Sequence, residues 1–338
     1  MPAEWEEHEA TWISWPHPEC ISFPGRYREV IPTFVAMAEA IGDSEIVRIN
    51  VRDLDEEKMI RSLLERRLPK EHLEFYSIPT QEPWCRDHGP IFVKSLLEQA
   101  PSLVVLDWQY NAWGEKYLPY HLDNAVPSTI ALSLNLPCLQ PGMVLEGGSI
   151  DVNGDGSLLT TKSCLLHRNR NPHLTQEQIE EKLCFYLGVS HVFWLDEGIE
   201  GDDTDGHIDD ITRFVDKETV VTALESDHHD PNYFPLHKNA DLLKSFLLPS
   251  GKPFTVIELP MPPRLERDAQ RLPASYANFY IANRALLVPV FQAPSDALAC
   301  DILSTLFPTR EIIPIDSREL IWGLGSFHCL TQQQPIRY

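Results

Sequence analysis

The chain has 338 residues, 43% of them hydrophobic, which is enough for a substantial core in a soluble globular protein. Fifty acidic against 28 basic residues give a formal charge of −22, which repels nucleic-acid phosphates and favours cationic ligands. No apolar run reaches the roughly 18 residues of a membrane span, and the acidic, aromatic start MPAEWEEHEATWISWP has no signal-peptide pattern. Seven scattered cysteines without a C-x-x-C argue for reduced thiols in a cytoplasm, against a disulfide scaffold or a zinc ribbon.

In chain order, short strands alternate with amphipathic helices. The spacing predicts helices over 27–41, 56–68, 122–135, 175–187, 236–247 and 295–306. Strands are read in EIVRINV, LEFYSIP, SLVVLDW, HVFWLD, ETVVTAL, FTVIEL, ANFYIANRALLVPV and EIIPI. Thr175 with Gln178 reads as a capping box, and Gly188 as a helix stop. From the second helix onward, centres recur at about 60-residue intervals, so a repeated α/β unit is expected although no self-similarity is visible. The 28 prolines fall mostly between elements, and no boundary divides 1–338.

DVNGDG, residues 151–156, copies the opening of a calcium loop, but its twelfth position is Lys162 where a bidentate Glu is required. Flanked by strand-like residues, it reads as a turn between two strands. Three further stretches concentrate reactive side chains. In PWCRDHGP two prolines fix the backbone around Arg86, Asp87 and His88, in a loop that could equally hold a structural ion pair. In LEGGSI, Glu146 enters an apolar strand before two glycines, which permit close approach to the backbone; a solvated edge-strand Glu is the alternative. In EGDDTDGHIDDITRF, continuation of GHIDDITRFV as a strand would put His207 and Asp209 on one face, as proton transfer requires; the alternative is a solvated acidic loop. His228 and His229 read as an exposed turn before a helix. GSFHCLTQQQP, residues 325–335, raises the question of why Cys329 lies there, as a core thiol or as one that reacts.

A thiol, an imidazole and several carboxylates suit a substrate that is already positive and planar. A guanidinium pairs its N–H fork with carboxylates, whereas extra acids would repel a developing oxyanion. A thiolate attacks the central carbon, a histidine protonates the departing ammonia, and water hydrolyses the thiouronium.

PAEWEEHEATWISWP, WCRDHGP, EGGSIDVNGDG, TDGHIDD and HCLTQQQP, in that order from residue 2 to about 335, resemble the agmatine deiminase family, also called peptidyl-arginine deiminase-like. The resemblance implies an α/β fold of the pentein type, a propeller of five ββαβ units about a pseudo-fivefold axis. It implies Cys329 as nucleophile and His207 as general acid/base. Glu146 and Asp209 are implied as partners of the reacting guanidinium, with Asp87 on its other nitrogens. Trp84 is implied as an aromatic wall, and Asp203 as the acid facing a distal amine. The segment before Cys329 is often richer in glycine and carries Asn in the family, and the QEP before Trp84 also departs; both bear on substrate preference.

The expected function is hydrolysis of agmatine to N-carbamoylputrescine and ammonia, in putrescine biosynthesis. No cofactor, metal, nucleic acid or membrane is expected as a partner, and the oligomeric state is open. The rivals are an arginine or peptidyl-arginine deiminase and a metal-dependent hydrolase using His207, Asp203 and Asp209. Should Asp203 not face the amine, acids around Glu4 and Glu9 are next in line.

Overall fold

The computed structural model describes residues 1–95 and 103–337. Its helices fall where apolar periodicity places them, at Tyr27–Gly42, Leu54–Leu64, Gln176–Leu187, Tyr233–Ser245 and Asp296–Leu306. Thr175 accepts from the Gln178 N–H while the Gln178 side chain accepts from the Thr175 N–H at 2.9 Å, so both ends of the capping box are made. Gly188 closes that helix at φ 68°, a left-handed position that costs glycine nothing. The helix expected over 122–135 is instead two, His121–Asn124 and Val126–Ser133. Pro127 lies in the first turn of the second, where its missing N–H is no loss, so it starts a helix rather than continuing one. SLVVLDW yields the strand Leu103–Leu106, and its Ser102 lies outside the described residues.

One pairing scheme recurs in five sheets. Each has an antiparallel pair, then a helix, then a strand parallel to the second member of the pair. In four sheets the strands are consecutive: Ile91–Lys94, Leu103–Leu106 and Cys138–Leu139; Asp151–Val152, Ser157–Thr161 and His191–Leu195; Thr212–Phe214, Thr219–Leu224 and Thr255–Pro260; Tyr280–Ile281, Ala285–Val290 and Glu311–Asp316. The fifth joins distant parts of the chain, because Thr331–Pro335 pairs antiparallel with His8–Ser14. His8–Ser14 then runs parallel to Ile46–Val51, which adds Leu73–Ser77 at its far edge. Residues 153–156 form the turn between Asp151–Val152 and Ser157–Thr161, joining two strands as the sequence implies, with Asn153 Oδ1 accepting from the N–H groups of Asp155 and Ser157.

Helices pack on sheets through apolar faces such as Val30, Phe34, Met37 and Ile41 of the first helix. A polar interior lies between the sheets. Arg213 is fully buried there, ion-paired with Glu4 at 3.0 Å and Asp151 at 3.3 Å and donating to the Phe279 carbonyl at 2.8 Å.

Three further expectations about backbone are corrected. GHIDDITRFV does not begin as a strand: Ile208–Asp210 is a single helical turn and the strand starts at Thr212. Side chains win over the ladder here, since Asp202 Oδ2 accepts from the N–H groups of Gly206 and His207, and Thr204 Oγ1 accepts from His207. Glu146 is likewise extended but outside any strand, and Gly147–Ser149 after it is one helical turn closed by Ser149 Oγ on the Glu146 carbonyl at 2.6 Å. Cys85–His88 is also a short helix rather than a loop.

Candidate active site

Each of the five units places polar residues just ahead of the first strand of its antiparallel pair. These are Trp84 and Asp87 before Ile91, Glu146 and Gly148 before Asp151, and His207 and Asp209 before Thr212. Asn278 precedes Tyr280 and Cys329 precedes Thr331 in the same way. Every residue singled out from the sequence for the reacting end therefore comes from an equivalent place in the fold. His207 and Asp209 converge by this turn geometry, not by strand alternation.

Gly148 marks the centre of convergence. A Cβ there would lie 2.6 Å from His207 Nδ1, 2.8 Å from Asp87 Oδ1 and 3.0 Å from Asp209 Oδ2, so only glycine lets these three groups meet. Asp87 is held from the other side. Its Oδ1 accepts from the Gly148 N–H at 3.0 Å and its Oδ2 from the Trp113 indole at 2.9 Å, and His207 Nδ1 is 3.6 Å away. Cys329 Sγ lies 3.6 Å from Asp209 Oδ2 and accepts from Asn278 Nδ2 at 3.0 Å. Behind Asp209, His328 bridges two acids, with Nδ1 at 2.7 Å from Asp209 and Nε2 at 2.7 Å from Glu4. Glu146 is fully buried and takes the Nε of Arg170 at 2.6 Å, whose fork continues to Asp205 at 2.7 Å and the Thr204 carbonyl at 2.9 Å.

Cys329 and Asp87 open onto a cavity of about 120 Å³. Trp84, Trp113, Tyr117 and Trp322 wall it, and Ser22, Glu82, Asp203, Thr204 and Arg267 add to its polar lining. Trp84 is the expected aromatic wall, with its indole N–H on Ser22 Oγ at 2.7 Å. Asp203 lines the cavity as expected and accepts from the Tyr117 hydroxyl. Glu4 and Glu9 do not line it. Glu4 is locked among Arg86, Arg213 and His328, and Glu9 pairs with Arg48 and Arg337, which removes both as amine ligands. A wider groove of about 830 Å³ borders the 202–206 segment, but Cys329 does not reach it and its Asp196 is already paired with Lys162 and Lys238.

Burial pushes the Cys329 thiol well above its ordinary range, and the charges of Asp209, Asp210 and Asp87 push it the same way. Burial opposes charge on His207, yet Asp87, Cys164 and Asp209 outweigh it and hold the imidazole protonated well above its usual range. Burial, with Asp209 and Glu146, raises Asp87 to about 6 against the pull of His207. Asp209 is drawn down despite burial by the hydrogen bond and charge of His328 and by His207 and Arg213. The unliganded site thus combines a neutral thiol with a cationic imidazole.

Among the described residues two donor sets could hold a metal: Glu146 with Cys164 and His207, and Asp209 with Asp210 and Cys329, each within 4.8 Å. The trio His207, Asp203 and Asp209 named for a metal hydrolase is not such a group among the described residues.

Sequence reasoning missed Asn278, Trp113, Glu82, Arg267 and Arg170. Asn278 was detectable as the polar residue before the fourth first strand, Tyr280–Ile281, once the other four positions are aligned. Trp113 has no comparable signal, since it enters the site through the left-handed run Ala112, Trp113, Gly114 and Glu115, a strained backbone of the kind found at ligand clamps.

The family described as Porphyromonas-type peptidyl-arginine deiminase matches residues 1–335. The agmatine deiminase of Pseudomonas savastanoi pv. phaseolicola is 36% identical, with 99% of this chain and 95% of that protein aligned. A cysteine-to-serine variant of C. jejuni agmatine deiminase, solved with substrate bound, shares 33% identity at a TM-score of 0.90, covering 100% of this chain and 96% of that one. The Enterococcus faecalis agmatine deiminase structure shares 31% identity at a TM-score of 0.91 with the same coverage.

Proposed function

The chain belongs to the Porphyromonas-type peptidyl-arginine deiminase family, and from that premise we propose that it hydrolyses agmatine to N-carbamoylputrescine and ammonia. One observation carries the reading: a thiol at the end of an aromatic-walled cavity, with Asp87 and Asp209 beside it and a cationic imidazole 3.6 Å from Asp87. That arrangement complements a planar cation and supplies the attacking atom and a proton donor.

The guanidinium enters between Asp87 and Asp209, which accept from its N–H groups. Its positive charge cancels the field that keeps Cys329 neutral, so the thiol proton passes to solvent and the thiolate forms against its target carbon. Sγ bonds to that carbon, and His207 gives its proton to the amino group that departs as ammonia. The neutral imidazole then takes a proton from water, the hydroxide adds to the thiouronium carbon, and Sγ leaves with the hydroxyl proton as the ureido carbonyl forms. Asn278 steadies the sulfur, and Arg170 fixes Glu146 beside His207.

At the other end, Asp203 and Glu82 suit the distal amine of agmatine. At an effective dielectric of about 20, one like-charge contact near 4 Å costs roughly 4 kcal/mol before screening. An α-carboxylate among these acids is therefore disfavoured. Arg267 supports arginine as the second reading, because it is a cation in the cavity lining whose ion-pair partner, Asp268, is 4.0 Å away and exposed. Incubation with agmatine, arginine and a blocked arginine peptide, measuring ureido product and ammonia, separates these. The expected kcat/KM for agmatine exceeds that for arginine by at least about 100-fold, since 1.4 kcal/mol is tenfold; equal turnover sinks the substrate assignment.

The same reading includes one catalytic domain over 1–338 with its five units set as a propeller, supported by the fivefold recurrence of pairing and of site position. Seven free cysteines support a reducing cytoplasm, where the product would serve putrescine formation.

A further inference from the structure

One step beyond the cavity lining, Glu146, Cys164 and His207 bring a carboxylate oxygen, a thiol sulfur and an imidazole nitrogen within 4.8 Å of one another. All three side chains are fully buried. The reaction proposed above uses the sulfur of Cys329, and gives Cys164 no part beyond helping to keep His207 protonated. Yet Oε2 of Glu146 and both ring nitrogens of His207 have no hydrogen-bond partner among the described residues. Buried polar atoms in such number call for a ligand.

We propose that Glu146, Cys164 and His207 form an inhibitory site for a soft divalent cation of the zinc class. One S, one N and one O donor match the ligands of tetrahedral zinc and leave a fourth position for water. The surroundings orient two of the ligands from behind. Arg170 donates to the other oxygen of Glu146 at 2.6 Å, and Asp87 lies 3.6 Å from Nδ1 of His207, which leaves the second ring nitrogen to the ion. Cys164 is fixed independently, in the short helix Lys162–Leu165 capped by Thr161. The thiol proton of Cys164 and the extra proton of His207 pass to solvent as the ion binds. A dication then meets one carboxylate and one thiolate, while Asp205 balances the Arg170 guanidinium beside Glu146. Asp87 lines the cavity and lies 3.6 Å from His207, which places the site beside the cavity. Bound there, it occupies the imidazole that would protonate the departing amine, while Cys329 stays untouched. Binding stands apart from the proposed deiminase activity, and only the inhibition rests on it.

The test titrates the whole protein with Cd²⁺, whose bond to a thiolate gives an ultraviolet charge-transfer band. One equivalent should produce the band in the wild type and in Cys329→Ser, and Cys164→Ser should lose it. Zn²⁺ should displace Cd²⁺ and inhibit turnover, with the half-inhibiting concentration rising at least about tenfold in Cys164→Ser. A band kept in Cys164→Ser but lost in Cys329→Ser overturns the proposal and moves the ion to Asp209, Asp210 and Cys329. No band, or equal bands in both variants from Cys138, Cys184 or Cys300, overturns it too. Should Cys164→Ser not fold, Glu146→Gln keeps the thiol and must weaken Cd²⁺ binding about tenfold; unchanged binding there overturns the site. If Cd²⁺ binds as expected while no guanidine is turned over, the proposed function fails and the site stands.

Discussion

The two ends of the cavity treat their carboxylates differently. At the reacting end, acids face basic side chains: Glu4 against Arg86, Arg213 and His328, Glu146 against Arg170, and Asp209 against His328. At the outer end, Asp203 accepts from the Tyr117 hydroxyl, and Glu82 from the Ser22 hydroxyl and the N–H groups of Ile21 and Ser22. Neither has an ion pair among the described residues, and burial raises both. The protein settles the charge of the inner acids itself, whereas the outer acids gain a counter-charge when a cation arrives. The inner end therefore governs whether the reaction occurs, and the outer end governs which guanidine is chosen.

The sharpest break in that contrast is at the nucleophile. Cys329→Ala should leave less than about a hundredth of wild-type turnover, because general acid/base catalysis alone supplies only about 10²–10⁴-fold. Far-ultraviolet circular dichroism should show an unchanged fold. His207→Gln, mixed with agmatine, should trap an adduct of substrate minus ammonia on the Cys329 peptide in intact mass spectrometry; an adduct on Cys85 or Cys164 would relocate the site.

Glu4→Ala tests the inner end without touching the cavity. Removing one partner from a buried ion cluster leaves uncompensated cations, so stability should fall by about 3–5 kcal/mol in denaturant titration. Asp203→Asn should cost far less stability. If the two variants lose equal stability, the distinction between the ends fails.

For the outer end, Asp203→Asn should raise the KM for agmatine about tenfold, a loss of ~1.4 kcal/mol, with a smaller change in kcat. The ratio of agmatine to arginine turnover should narrow. An unchanged ratio would leave Glu82 holding the amine.

The smallest effect is in pH. Asp87 must be ionised to accept a cation, so kcat/KM should fall by up to tenfold per unit below about pH 6. Its folded pKa lies above the unfolded value near 3.8, so its stabilising contribution is present below that value and lost as pH rises through about 6. Asp87→Asn should remove this acid limb along with most activity. An acid limb that persists unchanged in the residual activity would assign it to another group.

Much of this was legible in the sequence, and for identifiable reasons. The helices announced themselves through apolar spacing and through caps such as Thr175, Gln178 and Gly188, which are local signals. The reactive residues stood out by type, and the family resemblance assigned their roles. What stayed hidden depends on contacts across the molecule. The turn at Ile208–Asp210 is imposed by Asp202 and Thr204 on the backbone, which an alternating pattern cannot reveal. Asn278 sits in ANFYIAN, where it passes for a strand residue until its place before Tyr280 is compared with the other four. Glu4 looked free because its partners Arg86, Arg213 and His328 are remote in sequence.

The pairing of His8–Ser14 with Thr331–Pro335 also sets a schedule for the newborn protein. His328 and Glu4, hydrogen-bonded at 2.7 Å, are 324 residues apart in sequence. During synthesis from the N-terminus, four of the five site segments emerge before the nucleophile exists. The first sheet meanwhile waits with the edge of His8–Ser14 open to any passing strand. Closing so large a loop is slow, because contacts at long sequence separation must recover chain entropy before they stabilise anything. Catalytic competence should therefore be the last property the chain acquires, arriving in one step when Thr331–Pro335 docks and delivers Cys329.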